Sequence, residues 1–320
     1  MSSNALRTPA DIVAAAPGLL GFAPTDSVIT YLLRRDADHG LFVRCAIRFD
    51  VTTDTTAAVE FPSTCNVRTA DNHAAILLVV CDPGHDEHAR TILDALRDAL
   101  NAAGIPVLMR LLTRDIATAG QWLDLDTYES GPTYPYTDAL LTAQRVGRGQ
   151  RVSRHRGDIK AEFDPIPTAP PADVADHDHL LTSTAREIAQ ALASTSSTSP
   201  TLATRAGILI TGNPALRDAM LALALDHPHA AADLWTHLAR QLRAQPRAEA
   251  LAVASACHCL VGDTVRAGIA AEAALTEAAR SHTAAPRLAH LLLAALHAGI
   301  PPTQINAALA ASTAKPRNTG

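Results

Sequence analysis

Aromatic residues are scarce in this 320-residue chain: two tryptophans, four tyrosines and five phenylalanines. Lysine is rarer still, with only Lys160 and Lys315 against a large excess of arginine, a bias that fits a GC-rich genome better than any particular activity. No apolar run approaches the length of a membrane span, and the N-terminus lacks the charged-then-apolar layout of a secretory signal. The cysteines (Cys45, Cys65, Cys81, Cys257 and Cys259) are odd in number and form no CxxC pair. Reduced thiols in a cytoplasmic protein are the natural reading. A net charge of −5 is mild and speaks against wholesale affinity for nucleic acid or membranes. The recurrent catalytic signatures are missing too: no GxGxxG after a strand, no phosphate-binding GxxxxGK followed by Ser or Thr, no G-x-S-x-G and no HExxH. That removes the usual positive grounds for an enzyme and leaves the question open.

What is present begins with Leu6–Val28, LRTPADIVAAAPGLLGFAPTDSV. Thr8 is a good N-cap, Pro9 suits the first helical position, and Asp11 stands where a capping box requires it. Ile12, Val13 and Ala16 give an apolar face, and Pro17 is expected to stop the helix. Leu19, Leu20 and Phe22 then form an apolar plug around Gly21. Pro24–Ser27 has turn chemistry, and Val28–Leu33 reads as a buried strand. The segment serves either as a plug capping one end of a sheet or as a ligand-facing bend. The plug is favoured, since Pro and Gly among apolar residues usually encode packing and turns.

On these residues the chain resembles an uncharacterised actinobacterial family of domains of unknown function, whose members open with P-A-D-hhAAhP-LLGF-P-DSh, h being apolar. The likeness returns at Gln121-Trp122, Val152-Ser153-Arg154, Leu216-Arg217-Asp218, and from Gly262-Asp263 to Ala298–Pro302. Many members of that family carry a cysteine-rich turn shortly after the tryptophan. Here Trp122–Pro135 is WLDLDTYESGPTYP, without cysteine, so no metal or redox role carries over. The resemblance implies a fold and a lineage and supplies no reaction.

The N-terminal half alternates strand and helix. Leu41–Phe49 alternates apolar and polar residues and reads as a half-buried strand hairpinned to its predecessor. A short helix follows at Thr55–Phe61. Ala74–Cys81 is continuously apolar, the mark of a strand buried on both faces. An amphipathic helix with Ala89, Ile92, Leu93, Leu96, Leu100 and Ala103 inward ends at Gly104 and Pro106. Val107–Leu112 is a further buried strand and Gln121–Leu125 an edge strand, completing a strand–helix–strand unit in a mixed sheet.

The second half is different. Asp164–Asp178 is proline-rich and Ala193–Pro200 is ASTSSTSP, both with linker composition. Beyond them, Thr201–Ile210, Pro214–Leu225, Pro228–Ala244, Pro246–Val261, Asp263–Ser281, Pro286–His297 and Pro302–Ala311 all read as helices, most with proline near the start. Trp235 is their natural anchor. Gly262, Ala274 and Pro286 fall where one tetratricopeptide-type hairpin would place them, which resembles a peptide-binding repeat. The expected organisation is an α/β (α+β) domain with a small mixed sheet over 1–163, a Pro/Ser-rich linker with a short helix over 164–200, an alanine-rich all-α helical bundle over 201–314, and a disordered tail over 315–320.

Four clusters could carry chemistry. Asp82, His85, Asp86 and His88 follow the buried strand, where open sheets gather ligands, and the two histidines are spaced for one face of a helical turn. Ordinary helix-dipole partners explain them as well, and no fourth metal ligand is evident. Arg145, Arg148, Arg151, Arg154 and Arg156 recur at near three-residue spacing and are the best anion-binding candidates. Glycines interrupt the run and no aromatics interleave for base stacking, so a solvated connector competes with that reading. Asp124 and Asp126 share one face if their segment is extended, the pairing that binds Mg²⁺ or divides acid and base roles. Tyr128, Tyr134 and Tyr136 crowd beside them, suggesting a contact surface or a small lid. Cys257 and Cys259 diverge by about 200° on a helix and read as core packing.

The leading expectation is therefore a non-catalytic interaction or regulatory module with no cofactor, contacting another protein through the C-terminal helices. A small-ligand binder or enzyme using Asp82–His88 for an anionic or metal-bound ligand is the second reading. Nucleic-acid binding through Arg145–Arg156 is the third.

Overall fold

The computed structural model describes residues 6–36, 40–172, 177–194 and 197–314; the expected tail over 315–320 lies outside them. A small mixed sheet with helices comes first and a helical region follows. Contacts divide the chain into two compact units, Met1–Asp158 and Ile159–Gly320.

The first unit opens with α1, Pro9–Leu20. The capping box forms: Thr8 Oγ1 accepts the Asp11 N–H at 3.2 Å, and Asp11 Oδ2 accepts the Thr8 N–H at 3.0 Å. Pro17 does not stop the helix, contrary to expectation. Its missing N–H forfeits one helical bond, but Ala14–Gly18 and Leu20 are all buried and hold the last turn in place. The helix ends at Gly21, whose left-handed φ of 80° lets its N–H reach the Pro17 carbonyl at 2.8 Å.

Among the described residues six strands follow: β1 (Ser27–Asp36), β2 (Gly40–Asp50), β3 (Ala74–Val80), β4 (Val107–Thr113), β5 (Gln121–Asp124) and β6 (Ser130–Pro132). They run in the order β2-β1-β3-β4-β5-β6. Only β3 and β4 are parallel, joined by the crossover helix α3 (Asp86–Ala102); α2 (Thr55–Thr64) lies between β2 and β3 in the chain. β5 is not the edge, as its composition suggested, because three residues of β6 pair beyond it. Trp122 explains the arrangement: a Cβ on Gly131 would lie 2.9 Å from its ring, so only glycine lets β6 come this close.

Period-2 alternation decides what each face of the sheet meets. Val28, Leu32, Leu77 and Val79 join Ile92, Leu93, Leu96 and Leu100 of α3 in one core. Tyr31, on the opposite face of β1, donates from its hydroxyl to the Ile12 carbonyl of α1 at 3.1 Å. Helices thus cover both faces, and β3 at the centre is buried at every residue.

Two short helices close this part: α4, Leu140–Gly147, and α5, Arg156–Ala161. The second unit begins within α5 and continues with α6 (His177–Ala193), α7 (Leu202–Gly212), α8 (Pro214–Ala222), α9 (Pro228–Gln241), α10 (Ala244–Leu260), α11 (Thr264–Arg280), α12 (Arg287–His297) and α13 (Pro302–Ala314). At its centre is α10, buried at every residue from Ala250 to Cys259. It packs against α7, α9, α11, α12 and α13. Alanine makes this possible, since small side chains let several helices share one central partner. Trp235 is fully buried on α9. The proline-rich stretch after α5 is tied to the end of α9: the Ile166 and Ala169 N–H groups donate to the Arg240 and Gln241 carbonyls at 3.0 and 3.1 Å.

Candidate functional site

Beyond the carboxyl end of β3 the chain turns through Asp82–His85 into α3. The Asp82 N–H donates to Asp26 Oδ1 at 3.4 Å, and His85 Nδ1 lies 3.3 Å from that same oxygen. His88 turns elsewhere, its Nε2 standing 3.1 Å from the Thr53 carbonyl. Asp86 is gripped by both terminal nitrogens of Arg114, one of them 2.7 Å from Oδ2. Those hydrogen bonds outweigh partial burial and hold the Asp86 carboxyl below the usual carboxylate range. The two histidines therefore serve separate partners, and the expected ligand set does not converge. Among the described residues, no three His, Cys, Asp or Glu side chains gather closely enough to hold a metal ion.

Asp124 and Asp126 also have separate tasks. β5 ends at Asp124, and Asp124 Oδ1 accepts the N–H groups of Asp126 and Thr127 at 2.8 and 3.3 Å, stabilising the turn. Asp126 faces Arg110, whose Nε lies 3.0 and 3.1 Å from its two oxygens. Hydrogen bonds from Arg110 hold the Asp126 carboxyl low, against the opposing effect of burial. Arg110 is buried and also pairs with Asp94. The extended geometry that would have aligned the two carboxylates ends at Asp124, two residues too early.

The arginine run splits. Arg145 is buried, donating from Nη1 to the Gly18 carbonyl at 3.5 Å and from Nε to the Arg151 carbonyl at 3.4 Å. Arg148, Arg151 and Arg154 are exposed, and Arg156 is partly exposed at the start of α5. Two separated stretches of the family-like pattern meet beside Arg145: the Ser153 N–H donates to the Gly21 carbonyl at 2.8 Å, and the Ala23 N–H to the Ser153 carbonyl at 3.0 Å.

A cleft of about 160 Å³ is lined by Leu6, Asp11, Ala15, Tyr134, Leu140 and Leu141, among others. The Tyr134 hydroxyl donates to Asp11 Oδ1 at 2.8 Å. Burial pushes the Asp11 carboxyl up, but hydrogen bonds from Tyr134, Thr8 and Arg7 prevail and leave it below the usual range. The Tyr134 phenol is pushed up to about 12, first by burial and then by the Asp11 carboxylate. Two sequence signals pointed here separately, the capping box and the tyrosine cluster, and only folding joins them.

The wall of this cleft is α4, and its amphipathicity is inverted. It buries Thr142 and Arg145 while Leu140 is 58% exposed, Val146 57% exposed and Ala143 exposed between them. These three follow at three-residue spacing, a stripe about 120° wide facing solvent. The inward side is forced by the approach of α1: a Cβ on Gly18 would stand 2.8 Å from the backbone of Leu141 and Thr142.

The molecule is thus a two-unit protein, a helix-covered mixed sheet and an alanine-rich helical unit, with a small, largely apolar cleft holding the Asp11–Tyr134 pair beside α4. The family model for a domain of unknown function, DUF4192, matches residues 9–303, and the chain belongs to that family. No curated protein and no solved structure matches it.

Proposed function

We propose that this chain is a non-catalytic interaction module whose docking element is α4 together with the Asp11–Tyr134 cleft. The observation that carries this reading is the inversion of α4. A helix at a protein surface ordinarily turns its apolar stripe to the core, and outward apolar area beside a polar rim marks a surface that a partner covers. The pairing of Asp86 with Arg114, of Asp126 with Arg110 and of His88 with the Thr53 carbonyl supports a binding role over acid–base chemistry, because each is committed to a structural contact. Free cysteines at all five positions support a reducing, cytoplasmic setting. No helix among the described residues is long and apolar enough to cross a membrane.

Selection of random displayed peptides against the full chain, followed by NMR mapping, tests the proposal. Enriched peptides should carry apolar side chains, shift the amide signals of Asp11 and of α4, and lose binding to a Leu140→Asp variant. Undiminished binding to that variant overturns the assignment of α4. Turnover of a nucleotide or phosphoester, abolished by Asp82→Asn or Asp124→Asn, overturns the non-catalytic reading. The competing small-ligand reading draws on Arg114, 44% exposed at the end of β4 beside the exposed Asp82. It requires a thermal shift with nucleotides or divalent cations, since a ligand of the native state must stabilise it.

A further inference from the structure

Resting on the docking role proposed for this surface, we infer that the Asp11–Tyr134 cleft receives a lysine side chain from a protein partner. Asp11 lines the cleft as a carboxylate, and only neutral donors answer it. Oδ1 accepts the Tyr134 hydroxyl at 2.8 Å, and Oδ2 accepts the N–H groups of Arg7 and Thr8 at 3.2 and 3.0 Å. Arg7 contributes its backbone alone, and among the described residues no cationic side chain pairs with Asp11. A second carboxylate, Asp138, is exposed and close enough to act on the Tyr134 phenol. The cleft thus presents negative charge without a cation of its own, the complement of a positively charged ligand.

Size and lining select the rest of the side chain. The cleft holds about 160 Å³ and is walled by Leu6, Ala15, Ala139, Leu140 and Leu141. An apolar cavity of roughly 150 Å³ accommodates a six-carbon ring, so a four-carbon chain with a terminal nitrogen fits. Lysine buries such a stem along apolar surface while its head keeps a polar contact. The acceptor geometry favours ammonium over guanidinium. A carboxylate has about four acceptor positions, and the hydrogen bonds from Tyr134, Arg7 and Thr8 leave one, on Oδ1. An arginine fork needs two parallel acceptors, whereas an ammonium bonds to one as a point charge. The Tyr134 ring adds an aromatic wall, which also attracts a cation. Exposed Leu140, shared by the cleft and α4, calls for an apolar residue beside that lysine.

Selection of random displayed peptides on the full chain, followed by synthesis of one enriched peptide, tests this. Enriched sequences should share a lysine flanked by apolar residues. Replacing that lysine with acetyl-lysine should raise the dissociation constant about tenfold, because a charge-assisted bond is lost while the stem remains. Replacing it with arginine should weaken binding as well. These changes leave the protein untouched, so no folding defect enters the comparison. On the protein side, Asp11→Asn should cause a similar loss with an unchanged circular dichroism spectrum, and should make binding indifferent to acetylation of the lysine. Equal binding of the acetylated peptide to the wild type overturns the inference, as does full sensitivity to acetylation in Asp11→Asn. If peptides engage α4 without using a lysine, the lysine site fails and the docking role survives. If lysine-dependent binding is lost in Asp11→Asn but kept in Leu140→Asp, the cleft stands and the assignment of α4 falls. If no peptide is enriched, both fall.

Discussion

At Gly21 the backbone adopts φ 80°, and a Cβ there would stand 2.7 Å from Arg145 Nη2. Gly21→Ala should therefore cost about 2 kcal/mol, combining the left-handed penalty with displacement of a buried guanidinium. A fall in the urea midpoint at unchanged m-value is the expected readout, and an unchanged midpoint would contradict the packing described. The bend itself was legible in LLGF, because glycine among apolar residues announces a turn. Arg145 was not legible. In a run of five arginines every member looks solvated, and what buries this one is the approach of α1 at Gly18, a contact 127 residues away along the chain. Asp126 was not legible for a related reason: its partner Arg110 lies on a strand read as buried, where one cation among leucines gives no sign of which carboxylate it will meet.

Among the elements, α10 shows how far composition can specify packing. Every position from Ala250 to Cys259 is buried, and the adjacent Ser255 hydroxyl donates to the Ala267 carbonyl of α11 at 2.7 Å, so the two helices run close together. Ala254→Leu should destabilise the helical unit by about 2 kcal/mol or more, because an overpacked site surrounded by helices has nowhere to yield. Thermal unfolding followed by circular dichroism reads this, and a neutral result would show that α10 is less enclosed than its burial states. The helices from α7 onward were readable from proline, asparagine and glycine punctuation, since capping is a local matter. The orientation of α4 was not. Its pattern of two leucines, an alanine and a valine suggests an inward apolar face, and the structure turns that face out because Gly18 admits only the Thr142 side of the helix.

For the whole molecule, stability should depend on pH through His258. This ring is buried, 3.2 Å from the Thr236 hydroxyl and edge-on to Phe163 at 5.7 Å between centroids. Burial pushes it down to about 4 from an ordinary value of 6.5, with Arg266 adding to the effect and Asp263, Glu162 and Asp233 opposing it. Between those values the unfolded chain binds a proton that the native chain refuses. Stability is thus complete above about pH 6.5 and declines as pH falls through the window, by up to about 1.4 kcal/mol per unit. Urea midpoints should drop from about pH 7 to about pH 5 in the wild type, and clearly less in His258→Leu. An equal drop in both would assign the acid sensitivity to other groups. Arg266 stabilises the same region by pairing with Asp263 at 2.9 Å and with Glu162.

The sequence by itself determined most of what depends on neighbours along the chain: the capped start of α1, the period-2 strands, the crossover helix α3, the alanine-rich helices and the family to which they belong. Tertiary structure alone decided which charges are spent on structural contacts and which apolar side chains stay outside. Asp11 meets Tyr134, Arg110 meets Asp126, Gly21 meets Ser153, and α4 faces outward. The physical reason is that capping and periodicity are local free energies, set within a few residues. Burial and charge pairing are set by whichever distant surface arrives, and a chain's own pattern does not name it.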